Sequence, residues 1–345
     1  MEKLIKESNI YKFLICCMNW LENQVKNSFF VNILLKNKPY SEEMQETVGY
    51  KIINAILNFF RKLSKRIKLE KLLENSIFTK PIIWIGVVVI FTPFLPTMAV
   101  LLLVLLSLGS LFLKAITDDS FKFEHSRVNL WVLLFIIVYF FSAITSLSTA
   151  ENKNIFMLTV AFVLFYFVVI NTVKDEKSLN TLLHIFVFSA TIASIYGLYQ
   201  YVYGDLYSQA WLDKNMFESI KMRVYSTFEN PNVFGEYLLL VVPINFALLF
   251  EEKKFLKKLI AFGMLGVNTL ALILTFSRGC WLGILFAIAI LLIVIDRRFI
   301  LLGILALLVA PFVLPETIIS RFTSIGNMGD TSTSYRVAIW MGTIA

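Results

Sequence analysis

Along this chain the apolar positions do not alternate singly with polar ones. They run together for 16 to 33 uncharged residues and are then broken by short charged or polar stretches. A helix needs about 20 apolar residues to cross hydrocarbon, and such continuous runs lack the period-two alternation of barrel strands. The pattern predicts an all-α polytopic transmembrane helix bundle. Residues 81–113 carry no charge and are too long for one comfortable span; Pro93 and Pro96 divide them into helices at 82–93 and 97–113 joined by a tight turn. Further spans are expected at 129–147, 154–172, 182–203, 233–250, 259–276, 280–295 and 299–314, about nine in all within 81–345. The apolar stretch Val337-Ala338-Ile339-Trp340 has no stop signal before Ala345, so more spans are expected beyond it.

Residues 1–80 read differently. The stretches Tyr11–Leu21, Phe29–Leu35 and Ile52–Leu63 are apolar but too short to span, and they alternate with charge in a helical rhythm. That suits a cytoplasmic region of basic amphipathic helices lying on the membrane or docked on the core. The strongly basic segment Arg61–Lys71 fits anionic headgroups. It fits equally a plain topogenic flank, which is the simpler reading; the two are compatible.

Composition sharpens the class. Only 16% of residues are charged and 58% are hydrophobic, whereas a soluble domain carries about a quarter charged. The net charge of +8 would suit nucleic acid if it formed one patch, but the basic residues sit at the ends of apolar runs, where they set topology. With the N-terminus inside, the basic connections 114–127, 174–177, 251–258 and 296–298 fall in the cytoplasm. The 93–96 turn, residues 148–153, the long loop 204–232, the break at Ser277-Arg278 and the tail 315–345 then face outward. Cys16, Cys17 and Cys280 form no CxxC pair, and the adjacent two read as apolar filler rather than lipidation sites. The only histidines, His125 and His184, lie toward the inner side and read as structural. No metal constellation and no phosphate-cradling loop is recognisable.

Candidate chemistry on the outer side rests on arginine. Arg223, Arg278, Arg321 and Arg336 all fall there, against the topological bias. Arg278 interrupts the apolar stretch Ala271–Ile295, and a guanidinium at the mouth of two helices usually faces a polar cavity. Its donor fork suits a phosphate or pyrophosphate; equally, it could anchor a helix end beside Trp281. Asn230-Pro231-Asn232 is a turn and helix-start signal, and Glu236 lies about one turn into the following span, free to pair with an outer arginine or act as a base. Ser and Asp before the apolar run read as a helix cap, which places Arg336 in an unfavourable first-turn position for a cation.

The ordered series Thr227-Phe228-Glu229-Asn230-Pro231-Asn232, Thr275-Phe276-Ser277-Arg278-Gly279 and Ser334-Tyr335-Arg336, ending at Trp340, resembles the motif series of the O-antigen ligase and polymerase superfamily over roughly residues 81–345. The resemblance implies a glycosyltransferase-C-like bundle and a metal-independent glycosyltransferase without a cofactor. Such an enzyme works at the outer face of the cell membrane and moves a glycan from undecaprenyl-pyrophosphate to an acceptor hydroxyl on a glycan or lipid. It implies that Arg278 and Arg336 engage the pyrophosphate, with Arg223 as a third contact. Arg278, Arg336 and Glu236 are the catalytic candidates; Arg223, Asn230, Asn232, Ser277 and Arg321 are the substrate-binding candidates. The family also carries a functional His in a later outer loop, expected here beyond Ala345, so the chain as it stands lacks part of that site. Two alternatives are a transporter or flippase for lipid-linked sugar and a peptidoglycan polymerase-like enzyme, the latter with Glu229 or Glu236 as its acidic residue.

Overall fold

The computed structural model describes residues 48–124, 126–145, 149–204, 220–295, 315–324 and 331–344, together with residues 19–20, 23, 303, 305, 308–309 and 312–313. Among these the chain is all-helical. The helices are α1 (Val48–Arg66), α2 (Leu69–Leu73), α3 (Pro81–Phe91), α4 (Thr97–Thr117), α5 (Arg127–Thr145), α6 (Thr149–Thr172), α7 (Glu176–Tyr203), α8 (Pro231–Glu251), α9 (Phe255–Leu274), α10 (Arg278–Ile295), α11 (Glu316–Thr323) and α12 (Thr331–Ile344). The expected span at 299–314, the stretches Tyr11–Leu21 and Phe29–Leu35, His125, Cys16 and Cys17 lie wholly or mostly outside the described residues.

Among the described residues six helices, α4 to α9, have the length and apolar character to cross a membrane, so this is a multi-pass membrane protein by composition and helix length. Two more apolar helices, α3 and α10, are shorter. With 11 residues α3 covers about 16 Å, roughly half of the hydrocarbon thickness. Charged residues extend several helices past the apolar runs seen in the sequence. Asp175 caps α7 by accepting from the Ser178 N–H at 2.8 Å, which starts that helix at Glu176 rather than 182.

Two compact units divide the chain. The first holds residues 1–81 and 104–172. In it α1 docks on the end of α4: Leu57 and Ser64 are buried, and Phe60 meets Phe112 edge to face. Arg61 Nε donates to the Ala115 carbonyl at 2.9 Å and its Nη2 to the Phe121 carbonyl at 2.8 Å. The guanidinium thus satisfies the Ala115 carbonyl, which the end of α4 leaves without an intrahelical donor, and ties it to the Phe121 carbonyl in the loop that follows. Asn129 and Tyr166 join α5 to α6 through a 2.9 Å hydrogen bond, and Asn171 Oδ1 accepts from the Glu124 N–H at 2.7 Å. The outward side of α5, from Leu130 to Phe141, carries large exposed apolar side chains, as a lipid-facing helix does.

The second unit holds residues 82–103 and 173–345. Its core joins α7, α8, α9 and α10 through Ala193, Phe234, Leu238, Val242, Ala271, Leu272, Cys280 and Ile284. Small residues permit the close approach: a Cβ on Gly235 would stand 2.8 Å from Cys280 Sγ, and one on Gly283 would stand 2.9 Å from Leu239 Cδ2. Buried polar side chains add interhelical bonds, with Asn268 Nδ2 donating to Thr191 Oγ1 at 3.1 Å and Ser189 Oγ to the Ile90 carbonyl at 2.7 Å. Successive antiparallel helices bring the end of α7, the start of α8 and the α9–α10 turn to one end of this unit, and Thr227 Oγ1 donates there to the Pro93 carbonyl.

Candidate functional site

The site is organised by a break in the helices. α9 ends at Leu274, the chain turns through Thr275, Phe276 and Ser277, and α10 starts at Arg278. Such a turn leaves backbone carbonyls without helical donors. Three come from elsewhere: the Val224 N–H donates to the Leu274 carbonyl at 2.9 Å, Arg223 Nε to the Thr275 carbonyl at 2.8 Å, and Arg321 Nε to the Phe276 carbonyl at 3.4 Å. Thr275 supports the turn from within, its Oγ1 donating to the Leu272 carbonyl at 2.7 Å and accepting from the Ser277 N–H at 3.3 Å. Ser277 is buried, and its carbonyl accepts from the Trp281 N–H as the first bond of α10.

The segment 220–230 lies along this turn and is held from the other side by α7. Gln200, only 4% exposed, closes a two-way pair with the Ser226 backbone, its Nε2 donating to the carbonyl at 3.1 Å and its Oε1 accepting from the N–H at 2.9 Å. Ser226 Oγ donates to the Ala193 carbonyl at 2.6 Å. Gly197 leaves the notch that Val224 fills, since a Cβ there would stand 2.6 Å from Val224 Cγ1. Ser226, Glu229 and Phe276 have φ of 54°, 58° and 49°. Left-handed conformations are costly for non-glycine residues and persist where the surroundings fix them.

Arg223 is 5% exposed; besides the Thr275 carbonyl, its Nη2 donates to Asn232 Oδ1 at 2.7 Å. Asn230 caps α8 by accepting from the Asn232 N–H at 2.8 Å, with Pro231 in the first helical position. Arg278 is half-buried; its Nη1 donates to the Ser324 carbonyl and Oγ at 2.9 and 3.0 Å, and its Nη2 reaches Thr333 Oγ1 at 3.4 Å. Arg321 is 4% exposed. Arg336 is exposed on α12, three residues beyond Thr333. That helix begins at Thr331, so Arg336 stands in its second turn, not in the first turn expected from the sequence, and the dipole argument weakens accordingly. Glu236 is exposed on α8, beside Gly235, which packs on Cys280.

The structure therefore brings Arg223, Arg278 and Arg321 together around one turn; Asn232 accepts from Arg223, Asn230 caps the helix that carries Asn232, and Ser277 lies in the turn itself. Burial lowers the Arg223 pKa, and the like charges of Arg321, Arg278 and, more weakly, Arg336 lower it further, to about 9. It stays charged at neutral pH, but as a desolvated cation among cations, a setting that a bound anion relieves. The N-terminus of α10 opens at the same place, adding oriented N–H groups of the sign that favours an anion. His184 is elsewhere, its Nδ1 2.7 Å from the Asn180 carbonyl near the start of α7. Among the described residues no group of three or more His, Cys, Asp or Glu could hold a metal ion.

Sequence reasoning missed Gln200, Ser324 and Thr333. Gln200 carried a signal, since it is a strong hydrogen-bonding side chain inside an apolar run between Tyr199 and Tyr201. Ser324 and Thr333 carried none, because their role is set by where Arg278 reaches. No family model matches the chain, and no curated protein or solved structure matches it.

Proposed function

We propose that this chain is a multi-pass membrane glycosyltransferase of the O-antigen ligase and polymerase type, transferring a glycan from undecaprenyl-pyrophosphate to an acceptor hydroxyl at the outer face of the cell membrane. In this reading the bundle has about nine spans in a glycosyltransferase-C-like arrangement with a cytoplasmic N-terminus. The observation that carries it is the convergence of Arg223, Arg278 and Arg321, from three separate parts of the chain, on the turn between α9 and α10, within electrostatic range of Arg336.

The chemistry follows from that charge. The acceptor oxygen attacks the anomeric carbon, and the bond from that carbon to the diphosphate oxygen breaks. The bonding pair leaves on the lipid diphosphate, and the hydroxyl proton passes to a base, for which Glu236, exposed on α8, is the candidate. Negative charge grows on the diphosphate as the bond breaks, and fixed guanidinium groups stabilise it without reorganising. Arg278 presents a fork for phosphate oxygens, Arg336 is exposed to meet the substrate, and Arg223 and Arg321 hold the turn while adding to the field.

A purely structural role for these arginines, with Arg223 and Arg321 capping the helix break and Arg278 capping the end of α11, makes a different prediction, and Arg278 separates the two. Arg278→Lys keeps the charge and can still reach the Ser324 carbonyl, but it loses the second arm toward Thr333. The reading expects transfer from a polyprenyl-pyrophosphate-linked glycan in membranes to fall about 100-fold or more, with insertion and thermal stability near wild type. Full activity in Arg278→Lys would reduce its part to simple charge, and full activity in Arg278→Ala would remove it from the site.

A further inference from the structure

The first unit carries a feature that glycan transfer does not use. α1 has 19 residues and no acidic side chain, and it presents two distinct faces. One face, made by Leu57, Phe60, Arg61 and Ser64, is docked against the end of α4. The other bears Ile52, Ile56, Phe59 and Leu63, continued by Ile67, at spacings of three and four residues, and all five are exposed, Phe59 to 65%. Lys62 and Arg66 border this stripe on the side away from the docked face, and both are exposed.

We infer that α1 is an interfacial helix that seats its Ile52–Ile67 stripe in the headgroup boundary of an anionic lipid surface. Two observations choose this occupant over a protein. First, α1 is tied by Arg61 to the Ala115 and Phe121 carbonyls, where α4, itself long and apolar enough to span, leaves its apolar run. The stripe is therefore held at the level where hydrocarbon gives way to headgroups. Second, every charged residue of α1 bordering the stripe is basic, which is the charge pattern that complements anionic headgroups while long side chains snorkel outward. Lys65 is engaged by Asp119 at 2.5 Å, which leaves Lys62 and Arg66 to meet the lipid. This proposal stands apart from the reading of the arginine cluster in the second unit.

The test uses the full chain in lipid nanodiscs with a nitroxide on Phe59→Cys, in a background carrying Cys16→Ser, Cys17→Ser and Cys280→Ala. Collision with oxygen, which concentrates in lipid, is compared with collision with a water-soluble nickel chelate. In discs containing phosphatidylglycerol, oxygen should reach the label and nickel should not. Each basic residue near an anionic surface shifts such an equilibrium about fivefold, so Lys62→Ala with Arg66→Ala should favour the water-exposed state about 25-fold. Discs of phosphatidylcholine alone should shift it the same way. Nickel access in the anionic discs overturns the proposal, as does shielding from both reagents, which would mean that protein covers the stripe. Equal burial in neutral discs and in the charge variant overturns the anionic preference.

Discussion

Gln200→Met tests whether α7 holds the arginine-bearing segment in place. Methionine matches glutamine in length and flexibility, so the substitution opens little space and isolates the polar contribution. The wild-type amide makes bonds of 3.1 and 2.9 Å with the carbonyl and N–H of Ser226, a residue that is 2% exposed. Both backbone groups would then be buried without these partners, at about 1–3 kcal/mol each, for a total of about 2–6 kcal/mol. Water cannot fill in cheaply where Val224, Phe234 and Ala193 close the site. The residue also has the left-handed φ of 54°, which the amide pair helps to fix, so the loss should concentrate at Ser226. Hydrogen exchange of the purified full chain in bicelles should show the Ser226 amide opening about 30-fold or more faster, since 1.4 kcal/mol is tenfold. Amides in the middle of α4 should exchange as before. A change below about 0.5 kcal/mol at Ser226, the range of substitutions that disturb nothing, would refute the anchoring.

Two further outcomes follow from packing and from guanidinium geometry. Gly197→Ala should destabilise by about 1–3 kcal/mol in thermal melts, because the new methyl would meet Val224, which is fully buried; adding Val224→Ala should recover part of that loss, and strict additivity would show that the two do not touch. Arg61→Lys keeps the charge but cannot bridge the Ala115 and Phe121 carbonyls, so about 1–2 kcal/mol of stability should be lost and trypsin should cut faster within α1; an unchanged cleavage rate would mean that the clamp is dispensable.

How far the architecture was legible depends on the length of each signal. The runs behind α4 to α9 are long enough that no soluble alternative could bury them, and the sequence reading located all six within a few residues at most ends. Boundaries moved where polar caps extend a helix beyond its apolar run, as Asp175 does for α7. The segment before Pro93 was less legible, because a charge-free stretch of 33 residues does not say where one helix ends, and α3 stops at Phe91. The cluster was legible as a set of residue types: arginines where hydropathy disfavours them, and an Asn-Pro-Asn helix start.

What the sequence by itself determined is the environment of the chain, since hydrocarbon admits only backbone that satisfies itself, and that condition is written residue by residue in apolar run length. It also determined which side chains are out of place there. Only the tertiary structure decided what those side chains do for one another. Arg223, Arg278 and Arg321 are tens of residues apart, and they share a turn because α9 breaks at Leu274: Arg223 and Arg321 donate to the Thr275 and Phe276 carbonyls that the break frees, and Arg278 begins the helix after it. The same holds for Arg61, whose partners lie at the end of α4 and in the loop after it, 54 and 60 positions further along the chain. Hydrogen bonds between such distant positions depend on distances that packing sets, and no local pattern of residues encodes them.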